Sequence, residues 1–222
     1  PVERMDGDAQ AEEMPPQIDF EGLRAVNRDV IGWIFIEGTD VNYPLLAGAD
    51  NQQYLFQSYM KKYAVAGSIF LDYRCSTNLS DYHTVIYGHN MKNGMMFGEL
   101  DAYQKADYLA AHPYVYIIMA DGSWNKYRVL ACEPVSVESA VYDLPCDTKQ
   151  KIKALRAQLA QSNGYAAGEA AAADAADVAD GTLQGAAQSS EAKLLTLSTC
   201  TNDSRDDVRF AVHCVLEEMG KY

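Results

Sequence analysis

The chain has 222 residues, 48% of them apolar and 10% aromatic, and carries a formal net charge of −13. That length suits one domain, and 15 tyrosines among the apolar half are ample for a core. The acidity, with no basic block, argues against nucleic acid as a partner and against docking of this domain on anionic lipid.

Residues 1–17 (PVERMDGDAQAEEMPPQ) are polar, acidic and proline-ended, and read as a flexible leader. Over 18–31, Leu23, Val26, Val30 and Ile31 recur at roughly helical spacing and predict a helix. WIFI and VNYPLL read as short strands joined by the turn-like EGTD. DNQQYLFQ reads as a short helix capped by Asp50. GSIFLDY and HTVIYGHN read as strands around the loop RCSTNLSD, the second breaking at Gly88. MFGELDAY and KADYLAAH predict two short helices. YVYIIMA and WNKYRVLACEPVSV predict strands about the turn Asp121-Gly122.

DTKQKIKALRAQLA is the clearest helix, with Ile152, Leu155 and Leu159 as its inner stripe and Asp147 or Thr148 as its cap. Residues 163–192 hold 12 alanines, five acids and almost nothing large to bury, and read as a surface insertion, part helical and part mobile. LLTLSTC and VRFAVHCVL close the chain as two more strands. Seven or eight strands with few helices predict a closed or nearly closed β-barrel with helices outside it. No run of about 18 apolar residues is present to span a membrane, and no signal peptide is visible.

The five cysteines include no CxxC pair, which argues against zinc-ribbon and thioredoxin-type sites. Cys132 and Cys214 lie inside apolar strands and read as core residues. Cys200 differs: it ends a strand where the chain turns polar (TNDSRDD). His89 and Arg209 likewise sit at strand ends beside loops. The short connection after Cys200 predicts an antiparallel pair that sets Cys200 beside Arg209. Along the last strand, Val208, Phe210 and Val212 should alternate inward, with Arg209 and His213 on the other face.

Taken singly, each of the three residues has a structural reading. Together they fit acyl transfer through a thioester: a thiolate attacks, an imidazole favours the thiolate or protonates a departing amine, and a guanidinium fork holds an oxyanion. Arg205 is the rival arginine, ranked second because it lies within the polar loop. His83, His112 and His213 read as structural. A metal site from His89 and Cys200 has no further ligand spacing to support it.

These segments resemble the sortases, class B. TLSTC (196–200) with an arginine nine residues later resembles the family signature, and IYGHNM (86–91) resembles the segment that carries the family histidine. GWIFIEGTDVNYPLL, DNQQYL, GSIFLDYR and MFGELDAY are similar in character. The resemblance covers roughly residues 18–160 and 194–217; residues 163–192 have no counterpart in it. It implies a mainly β fold, an eight-stranded sortase barrel with an N-terminal helix and peripheral helices, spanning 18–222.

It also implies a cysteine transpeptidase at the extracellular face of a Gram-positive membrane, reached through an N-terminal anchor not in this chain. Cys200 is then the nucleophile, His89 the acid/base and Arg209 the oxyanion stabiliser, with Asn51, Leu55, Tyr87, Ser198 and Thr199 along the substrate groove. The implied partners are a sorting-signal peptide of the NPxTx or LPxTG kind, cleaved after Thr, and an amine of a peptidoglycan precursor or a pilin lysine. No cofactor and no metal is expected. A peptidase that only hydrolyses, and a silent binding module using the same groove, are the alternatives.

Overall fold

A computed structural model describes residues 16–161, 165–166, 193–200 and 207–222. The leader up to residue 15 and all of 163–192 except two residues lie outside the described residues. Apolar segments form β1 (Val30–Phe35), β2 (Asn42–Ala47), β3 (Ile69–Leu71), β4 (His83–Tyr87), β5 (Tyr114–Met119), β6 (Ser123–Ser136), the two-residue β7 (Tyr165–Ala166), β8 (Leu194–Cys200) and β9 (Val208–Lys221).

Strand pairing runs β1–β2–β3–β4–β8–β9–β6–β5 and returns to β1, so eight strands close the predicted barrel. Among the described residues, only β2–β3 and β4–β8 are parallel. Closure removes the open edges that a sheet of this size would otherwise expose. β7 lies outside the ring, opposite Ala131 and Cys132 on β6. Ile34, Leu45, Ile69, Val85, Ile117, Leu197 and Val212 are fully buried in one core. Burial of each such side chain stabilises the fold by about 1.5–3 kcal/mol. Among the described residues no helix is long and apolar enough to cross a membrane.

The first helix is shorter than its pattern predicts. α1 covers Phe20–Val26, started by the Asp19 carboxylate accepting from the Gly22 amide. It stops at Asn27, whose buried side chain accepts from the Asp29 amide and donates to the Tyr54 hydroxyl. A side chain that engages the backbone this way competes with helical hydrogen bonding. The β-branched Val30 and Ile31 then enter β1.

The predicted helix at 50–57 is absent. Asp50 does accept from the Gln52 and Gln53 amides, but the chain stays in turns, because Tyr54 is drawn into the interior to meet Asn27 and Asp29. The strand predicted at GSIFLDY narrows to β3, since Ser68 bonds the Gln57 carbonyl and Asp72 turns to side-chain partners. The first of the two short helices is a 3-10 turn, Leu100–Gln104, and the second is α2, Ala106–Ala111. α3 (Lys149–Gln161) buries Ile152 and Leu155 as predicted, with Leu159 packed at the margin. Of its two candidate caps Thr148 serves, accepting from the Lys151 amide.

A buried polar chain crosses the strands that lead to the candidate site. His83 on β4 reaches the Thr196 hydroxyl on β8 at 2.8 Å, and that hydroxyl reaches His213 Nδ1 on β9 at 3.0 Å. One hydroxyl proton can serve only one of these bonds, so Thr196 donates to one ring and accepts from the other. His213 Nε2 lies 3.5 Å from Glu133 on β6. As predicted, His213 lies on the face of β9 opposite Val212, paired with Thr196 between Leu195 and Leu197 of β8. That face is covered as well, since all of 210–216 is buried on both faces of β9, and Thr196 satisfies His213 there.

Candidate active site

Three chain segments run side by side where the strands end. The parallel register sets Tyr87 beside Ser198, and the Gly88 amide donates to the Ser198 carbonyl. The antiparallel register sets Cys200 opposite Arg209, as the short connection predicts. Two steps beyond Tyr87 stands His89; two steps beyond Ser198 stands Cys200. Cys200 and Arg209 are thus register partners on adjacent strands about 5 Å apart, and His89 follows the end of β4, the strand that flanks β8 on its other side.

His89 is held in orientation. Its Nε2 lies 2.6 Å from the Leu55 carbonyl, and its ring tilts against Phe56 with centroids 5.5 Å apart. A carbonyl only accepts, so Nε2 carries a proton, and in the neutral ring Nδ1 is the acceptor. Gly88 precedes it for lack of room: a Cβ there would meet Ile69 and come within 2.7 Å of the Phe97 ring.

A cavity of about 440 Å³ opens along these strand ends, lined by Asn51, Leu55, Tyr87, His89, Ser198, Thr199 and Arg209, all anticipated from sequence. Arg209 is half-buried, and its Nη1 donates to the Val208 carbonyl at 3.1 Å. The Thr199 hydroxyl is buried with no partner among the described residues. Cys200 is located by its backbone pairing; Arg205 lies outside the described residues.

The remaining cysteines do not compete for the nucleophile's role. Cys75, Cys132, Cys146 and Cys214 are buried thiols. Burial pushes the Cys75 and Cys132 thiols up to about 12 and Cys146 to about 11, and raises Cys214 as well. Such thiols stay protonated and inert.

Sequence reasoning missed Asp72, Arg74 and Tyr142. Asp72 is fully buried, and the Arg74 guanidinium grips it through Nε at 2.9 Å and Nη2 at 2.8 Å. Arg74 Nη1 also donates to the Tyr142 carbonyl, and the Tyr142 hydroxyl meets Ser198 Oγ at 2.8 Å. The signal was present in LDYR: an acid directly after a greasy strand, with an arginine two residues on. Burial works to raise the Asp72 pKa, but the bonds from Arg74, Asn51 and Tyr87 outweigh it and hold the carboxyl below its usual range. Burial, with Asp72 adding to it, raises Tyr87, which stays a neutral phenol.

Comparison with known proteins agrees with this geometry. The Sortase domain family model matches residues 34–217. Sortase B of Listeria monocytogenes is 45% identical over 95 residues, 43% of this chain and 39% of that protein. Sortase B of Staphylococcus aureus is 36% identical over 118 residues, 53% of this chain and 46% of that protein. The structure of a Staphylococcus aureus sortase B-substrate complex superposes with a TM-score of 0.71 at 22% identity, covering 91% of this chain and 84% of that one. A Streptococcus pyogenes class B sortase involved in pilus biogenesis gives 0.71 at 28%, covering 90% and 98%. Each alignment to the two curated relatives spans less than half of that protein's length.

Proposed function

We propose that this chain, which belongs to the sortase family, is a cysteine transpeptidase that joins a sorting-signal protein to an amine at the outer face of a Gram-positive membrane. In this reading residues 18–222 form the catalytic domain. The observation that carries it is the register that sets Cys200 beside Arg209 on one side and beside the segment leading to His89 on the other.

Cys200 thiolate attacks the carbonyl carbon after the signal's threonine. Arg209 stabilises the oxyanion that forms, through a fork of fixed donors. The intermediate collapses with cleavage of the C–N bond, His89 gives a proton to the departing amine, and a thioester remains. An incoming amine then attacks the thioester carbonyl and passes a proton back to His89 Nδ1, and the C–S bond breaks to return the Cys200 thiolate. Asn51, Leu55, Tyr87, Ser198 and Thr199 would hold the extended peptide, the buried Thr199 hydroxyl meeting one of its amide groups. Leu55 serves twice, as a groove side chain and through the carbonyl that orients His89.

The acceptor is either an amine of a peptidoglycan precursor or a lysine of a pilin. The second is kept because the Streptococcus pyogenes relative is described as involved in pilus biogenesis. Incubation with a cleavable sorting peptide and a millimolar oligoglycine or lysine amine tests the transfer step. A ligated product that grows at the expense of free acid is the expected result. Free acid alone, at every acceptor concentration, would make the protein a hydrolytic peptidase.

A further inference from the structure

We propose that Asp72 is the positioning residue of the substrate groove, one buried carboxylate that fixes the donors of an entire wall. The reading of what that wall binds rests on the transpeptidase proposal; the geometry of the wall does not.

Asp72 sits immediately after β3, its amide bonded to the Val85 carbonyl, and none of it is exposed. Its two oxygens take five donors. Oδ1 accepts from the Arg74 amide at 3.0 Å and from Arg74 Nε at 2.9 Å. Oδ2 accepts from Arg74 Nη2 at 2.8 Å, Asn51 Nδ2 at 2.9 Å and the Tyr87 hydroxyl at 2.9 Å. Asn51, Arg74 and Tyr87 all line the cavity and come from separate parts of the chain. The link continues across the groove, because Arg74 Nη1 holds the Tyr142 carbonyl and the Tyr142 hydroxyl holds Ser198.

The arrangement also sets the chemistry of the wall. The Asn51 oxygen is taken by the Tyr73 amide at 3.0 Å, and one of its two amide hydrogens by Asp72. Arg74 has five N–H groups, of which three are engaged in these bonds. From Asn51 and Arg74 the wall can still offer N–H. Those N–H groups fit a ligand presenting carbonyl oxygens, as an extended peptide backbone does.

Only a carboxylate can do this. An amide at position 72 would bring its own N–H₂ against groups that are themselves donors and would orphan at least two of them. Asp72→Asn in the full chain tests the inference in two ways. The first is the KM for a sorting peptide, set beside the rate at which iodoacetamide alkylates Cys200, located by peptide mapping. The expected result is a KM raised tenfold or more with the alkylation rate within twofold of wild type, below the melting temperature of both proteins. A purely structural role for Asp72 would leave KM unmoved there, and an unchanged KM overturns the proposal.

The second is the crystal structure of the variant. Displaced Asn51 and Tyr87 side chains are expected; both in their wild-type positions would overturn the proposal whatever the kinetics. Should wild type turn over no sorting peptide, the transpeptidase reading fails, while the crystal structure still decides the part Asp72 plays. If Asp72→Asn does not fold, Arg74→Lys, which keeps the charge and gives up the fork, is read by the same two measurements.

Discussion

Arg209→Lys is expected to lose a hundredfold or more of kcat/KM on a sorting peptide, while Arg205→Ala stays within threefold of wild type. Arg209 lines the cavity and stands directly opposite Cys200 in the β8–β9 register. Its task in the proposed reaction is to meet an oxyanion that exists only in the transition state and its neighbouring intermediate. Removing such a donor costs about 10²–10³ in rate. Lysine keeps the charge, but its ammonium is a hydrated point charge on a flexible stem and cannot reproduce the planar fork. The loss should fall on kcat as well as kcat/KM, because the interaction belongs to the transition state. Steady-state kinetics on the two variants check this. Near-wild-type activity in Arg209→Lys with collapse in Arg205→Ala would transfer the role to the loop arginine.

Mild acid is expected to destabilise the barrel before its carboxylates titrate. His83 is wholly buried, and that burial, reinforced by the nearby His213, pushes its pKa from 6.5 down to about 3, with Asp72 opposing. Between those values the unfolded chain binds a proton at this position and the folded chain does not. Acid therefore favours unfolding: the contribution is whole above pH 6.5 and is lost progressively toward pH 3. Each unit of pH in that window costs about 1.4 kcal/mol, so pH 4.5 should cost about 3 kcal/mol from His83 alone. Against a typical stability of about 5–15 kcal/mol this is a large share.

Melting temperatures between pH 7.5 and 4.5 give the slope. His83→Gln should be less stable at pH 7.5 and should show a flatter profile. A wild-type profile that is flat over that range would contradict the burial argument. The slope has a functional reading too, since the His83–Thr196–His213 chain ties together β4, which leads to His89, β8, which ends at Cys200, and β9, which begins beside Arg209.

The parts of this protein that local pattern controls were legible in its sequence. The strands of the barrel follow from apolar segments bounded by turns. The pairing of Cys200 with Arg209 is the one a short connection between antiparallel neighbours favours. The anticipated groove residues Asn51, Leu55, Tyr87, Ser198 and Thr199 do line one cavity with His89 and Arg209.

What escaped was decided by contacts between distant parts of the chain. Helical spacing carried the first helix through Ile31, but Asn27 ends it by bonding to Tyr54, 27 residues away. Asp50 has the sequence of a cap and makes a cap's bonds, yet no helix follows, because Tyr54 is needed in the interior. A period of two put His213 on the face opposite Val212, but the pattern could not show that this face is covered too or that Thr196 meets it there. Asp72 gathers donors from residues 51, 74 and 87, a convergence visible only once the chain is folded.

The most direct test of the account is the intact mass of the protein after mixing with sorting peptides of the NPxTx, LPxTG and SPxTG kinds, with Cys200→Ala alongside. Wild type is expected to gain the mass of the peptide fragment ending in threonine, and the variant to gain nothing. The same adduct on Cys200→Ala, or none on wild type with any of the three while iodoacetamide still reaches Cys200, would contradict it.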